Sequence, residues 1–61
     1  PAQAMTGKAR LCYQRAQRAL ARGDLRDAVL QLRLAIAADP RSAFLRSALA
    51  EVEAALAPGG G

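Results

Sequence analysis

Between Gly23 and Pro40 the chain stops one helix, starts another and stops it again, and this punctuation constrains the fold more than anything else in the sequence. Glycine tolerates the left-handed backbone that commonly closes a helix. Asp24 follows directly, and its carboxylate is suited to accept hydrogen bonds from the exposed N–H groups that open the next helix. Leu25, Ala28, Val29, Leu32, Ala35 and Ile36 then recur at the spacing of one helical face. Ala28 and Ala35, two turns apart, leave room for another helix to approach closely. The expectation is a helical hairpin whose second arm covers residues 25–38.

The first arm is expected over about 7–22, with Thr6 as its cap. Its apolar positions are Ala9, Cys12, Tyr13, Ala16, Ala19 and Leu20, again on one face. Residues 1–6 are read as a flexible leader. Asp39-Pro40 is expected both to end the second helix and to begin a third at 40–57, with Asp39 as N-cap and Pro40 as first helical residue. Leu45, Leu49, Val52 and Leu56 form its stripe, which Phe44, Ala48 and Ala55 widen. Pro58 and the glycines that follow make residues 58–61 a tail or linker. The fold class is therefore all-α: an antiparallel helix-turn-helix hairpin with a C-terminal capping helix over 7–57, since short loops make consecutive helices antiparallel neighbours.

These residues resemble a tetratricopeptide repeat. Gly23, Leu25, Ala28, Leu32, Ala35 and Pro40 match its turn and second helix, with Ile36 and Asp39 also typical. The first helix departs from the pattern: Cys12 stands where a large aromatic is usual, Arg15-Ala16 replaces a Leu-Gly pair, and Ala19 replaces a late aromatic. The resemblance spans about 9–42, one repeat. It implies a protein–protein interaction module in which the first helices line a concave groove, so that Arg10, Tyr13, Gln17 and Leu20 would meet a partner peptide or helix. The family's chaperone-tail clamp uses Lys and Asn where Tyr13 and Gln17 stand here, so that specificity is not expected.

One repeat cannot bury its apolar face alone, and a chain of 61 residues hides only a modest share of its surface. Support is expected from self-association or from neighbouring repeats. The start at Pro1 and the glycine end read as a segment of something larger, with a cytoplasmic, bacterial protein as the expected setting. On the second helix, Leu30, Leu34 and Ala37 lie nearly opposite the Leu32/Ile36 stripe and are the candidate self-association residues, giving homo-oligomerisation as an alternative function.

Composition argues against chemistry. There is no histidine and one cysteine, so neither a disulfide within the chain nor a zinc site is expected. Cys12 falls on the buried face with no base nearby in sequence, which suits a structural role rather than a nucleophile. Asp24, Asp27 and Asp39 are placed to cap helices and complement their dipoles, and Glu51 and Glu53 point to different sides of the third helix. No enzyme activity, cofactor or metal is expected. No apolar run approaches the length of a membrane span.

The net charge of +4 admits anionic partners. Arg15, Arg18 and Arg22 form a row on the first helix, with Lys8 a turn back, and Arg26 and Arg33 form another on the second. A basic module binding nucleic acid or anionic surfaces is thus a further alternative. The aromatic side chains on which single strands stack are missing apart from Tyr13, which argues against specific nucleic-acid recognition.

Overall fold

The computed structural model describes residues 5–57 and contains three helices: α1 (Gly7–Ala21), α2 (Leu25–Ala38) and α3 (Ala43–Leu56). No strand occurs among the described residues. The helices pack in chain order, α1 on α2 and α2 on α3, with the first contact much the more extensive. The architecture is the expected all-α arrangement of packed hairpins.

The first turn follows the punctuation closely. Gly23 has φ of 78°, donates its N–H to the Leu20 carbonyl at 2.9 Å, and is followed by Asp24 N–H to the Ala19 carbonyl at 2.8 Å. These paired bonds form a Schellman closure, which satisfies carbonyls that α1 would otherwise leave open. Asp24 at once starts α2, accepting from the Asp27 N–H at 3.1 Å. One residue thus serves the end of one helix with its backbone and the start of the next with its side chain.

The second turn corrects the expected start of α3. Asp39 is the C-cap of α2: its N–H bonds the Ala35 and Ile36 carbonyls, and its φ and ψ of −146° and 77° are not helical. The following proline disfavours helical geometry at Asp39, yet the chain does not enter a helix at Pro40. Residues 39–42 instead form a β-turn closed by Ser42 N–H to the Asp39 carbonyl at 3.2 Å, with Asp and Pro at the turn positions those residues favour. Ser42 caps α3 through its hydroxyl, which accepts from the Leu45 N–H at 3.1 Å. Helix α3 therefore begins at Ala43, and Ser42 rather than Asp39 is its N-cap.

Thr6 caps α1 as expected, accepting from the Ala9 N–H at 3.1 Å. Met5 packs against the core, so these two residues belong to the helical module rather than to a leader. The rest of the expected leader, residues 1–4, and the expected tail, residues 58–61, lie outside the described residues.

The core is built of small side chains. Ala9, Ala16, Ala19, Ala28 and Ala35 are all 0–1% exposed, and Cys12 is buried beside them. The two large side chains that are fully buried are Leu32 on α2 and Leu45 on α3. Val52 completes the buried set, with Tyr13, Leu25, Val29, Ile36, Ala48 and Leu49 packed around it. Single methyl groups at the α1–α2 seam leave the two backbones free to come close, and larger leucines fill the wider space toward α3.

Candidate functional site

One side of this stack gathers both aromatic side chains and part of the remaining apolar surface. Tyr13, Ala16, Gln17 and Leu20 of α1 face Phe44, Ser47, Ala48, Glu51 and Val52 of α3 across a groove of about 250 Å³, with Leu32 of α2 as its floor. The helical repeat accounts for both walls. Positions 13, 16, 17 and 20 on α1 and 44, 47, 48 and 51 on α3 each follow the i, i+3, i+4, i+7 spacing of one helical face. Helix α2 lies between them and holds the walls apart.

At one end the groove is spanned by rings. Tyr13 and Phe44 meet edge to face, with centroids 5.3 Å apart and planes inclined by 67°, a geometry in which the positive edge of one ring meets the negative face of the other. The Tyr13 hydroxyl accepts from Gln17 Nε2 at 2.6 Å, which fixes both side chains along the α1 wall. Phe44 nonetheless remains 55% exposed and Leu20 37%. The groove therefore offers apolar surface, to which Gln17, Ser47 and Glu51 add polar side chains.

Three of the four residues expected at a partner surface, Tyr13, Gln17 and Leu20, are brought together in this wall. Arg10 is exposed one turn before Tyr13 and is not part of the lining. Phe44, Ser47 and Glu51 form the opposite wall and were not singled out from the sequence as groove residues. Their signal was present as a second helical row beside the Leu45/Leu49/Val52 stripe. Finding it required knowing which flank of the third helix faces α1.

The opposite side of the hairpin carries the other predicted patch. Leu34 and Ala37 border a shallow depression of about 320 Å³ together with Ala38, Lys8, Cys12 and Arg15. Leu30 is 53% exposed and Leu34 46%, so helix α3 does not cover this face. Two cations, Lys8 and Arg15, border the depression.

Both basic rows are shortened by ion pairing. Arg22 reaches Asp27 at 2.9 Å and Asp24 at 3.8 Å, and Arg33 reaches Glu53 at 3.0 Å, tying α2 to α3. Arg46 donates to the Pro40 carbonyl across the second turn. Among the described residues no cluster of His, Cys, Asp and Glu is placed to hold a metal ion, and no helix is long and apolar enough to cross a membrane. Comparison with protein-family models, curated proteins and solved structures finds no match for this chain.

Proposed function

We propose that the chain is a protein–protein interaction module of tetratricopeptide type, part of a larger protein, which receives a segment of its partner in the groove between α1 and α3. The observation that carries this reading is the groove itself. Tyr13, Leu20 and Phe44 keep apolar surface in contact with solvent within a concave site. At about 250 Å³ the groove is smaller than the roughly 300–1,000 Å³ of small-ligand pockets. It suits one or two anchor side chains projecting from a larger partner. The Gly23 closure, the buried Ala28 and Ala35, and the Asp39-Pro40 stop support the family assignment. Binding by shape requires no reaction, and the module is proposed to have none.

The test is selection of binding peptides from a random phage-displayed library, followed by amide NMR mapping on the whole chain. Shifts should concentrate at Tyr13, Gln17, Leu20, Phe44 and Ser47. Phe44→Ala should weaken the selected peptides about tenfold with the helical circular dichroism unchanged, because the ring is half exposed and contributes little to the core. Binding that ignores Phe44, or that maps to Leu30 and Leu34, refutes the groove.

A second reading, self-association, is favoured by the exposure of Leu30 and Leu34. Two copies meeting symmetrically there would bring Lys8 and Arg15 of each toward the same cations of the other, so the contact is proposed to be weak and strengthened by salt. Light scattering over a concentration series, on the native chain and on Leu34→Lys, decides this. A monomer at high micromolar concentration, unchanged by the substitution, ends it.

A further inference from the structure

The geometry points to a partner segment that carries a Lys or Arg beside its apolar anchor, held by Glu51. This rests on the groove being the docking face, and it names the chemistry of what docks there. The chain has nine lysines and arginines against five acidic residues, yet none of the nine lines the groove. Its charged lining residue is a carboxylate.

Of the other four acidic side chains, three are engaged and none lines the groove. Asp24 caps α2 and Asp27 pairs with Arg22. Glu53 pairs with Arg33, whereas Asp39 closes α2 through its backbone N–H and lies in the second turn, outside the groove lining. Glu51 has neither an ion pair nor a side-chain hydrogen bond among the described residues.

The side chains that line the groove with it are apolar or neutral, among them Phe44, Ser47 and Ala48 on its own wall and Tyr13, Gln17 and Leu20 on the facing one. An acidic partner would meet repulsion in the groove and attraction at the Arg rows outside it. A cationic one would be opposed by the overall charge and, within the groove, attracted at Glu51. Such an arrangement discriminates by penalising the wrong partner as well as rewarding the right one.

Parallel selections from the random displayed library on the native chain and on Glu51→Lys test this. Sequences recovered on the native chain should be enriched in Lys or Arg next to a large apolar residue, and those on Glu51→Lys in Asp or Glu at the same place. For a peptide selected on the native chain, Glu51→Gln should weaken binding about fivefold and Glu51→Lys about twentyfold, as expected for losing and then reversing an exposed pair. Matching enrichment on the two chains, or acidic enrichment on the native one, overturns the charge preference. If Phe44→Ala still weakens binding about tenfold in that case, the groove stands without the preference. If Phe44→Ala has no effect on the selected peptides, both fall.

Discussion

Leu45→Ala is the substitution that most directly tests how this fold is held together. Leu45 is fully buried and is the largest side chain that α3 inserts into the core. Its truncation loses the transfer free energy of the removed carbons and leaves a cavity that the alanine-rich seam has no long side chain to refill. Comparable fully buried leucines cost about 2.7–5 kcal/mol. A chain of 61 residues has a total stability of about 3–9 kcal/mol at the usual 0.05–0.15 kcal/mol per residue. The substitution therefore removes about three-tenths of the stability at the least and can remove all of it.

Urea unfolding followed by far-ultraviolet circular dichroism, with Tyr13 fluorescence as a second probe, measures the effect. With a slope near 1 kcal/mol per molar, at the low end for small domains, the midpoint should fall by about 3 M or the transition should vanish. Tyr13 lies against Phe44 of α3, so its emission reports whether α3 has left the hairpin. A loss below about 1 kcal/mol with unaltered Tyr13 emission would refute the placement of Leu45 at the centre of the packing.

Two further substitutions test the turns. Gly23→Ala places a Cβ where it would meet no atom within 4 Å, so its destabilisation of about 1 kcal/mol should come from the backbone φ of 78° alone; an unchanged urea midpoint would contradict that geometry. Ser42→Ala should cost about 1 kcal/mol by removing the cap of α3. Asp39→Ala, which removes no side-chain hydrogen bond to α3, should cost clearly less in the same assay, and equal losses would restore Asp39 as the cap.

Much of the fold was legible because helix ends are chemically specific. Gly23 and Asp24 signalled a turn whose closing and opening bonds both form, and Thr6 signalled the start of α1. The Asp39-Pro40 pair was ambiguous in a way the sequence could not resolve. Both a helix start and a β-turn favour Asp followed by Pro, and Ser42 offered a competing cap whose hydroxyl reaches the Leu45 N–H. The apolar stripes named the buried residues of α1 and α2 well because the seam is narrow. Phe44 was read with the apolar face of the third helix, but it lies at the flank of that face, against Tyr13 and half in solvent. Half of the groove was legible from α1 alone. The other half depends on how two helices separated by a third are rotated, which local spacing does not encode.

The unequal packing of the helices makes the groove a caliper with one fixed jaw. Alanine methyls lock α1 against α2, whereas α3 rests on a smaller contact with α2 and touches α1 at the Tyr13–Phe44 rings. An occupant that widens the gap would displace α3, and the work of doing so would be drawn from the seating of Leu45. On the proposed docking, affinity for a bulky anchor and the thermal endurance of the free chain would be set in opposition by a single side chain.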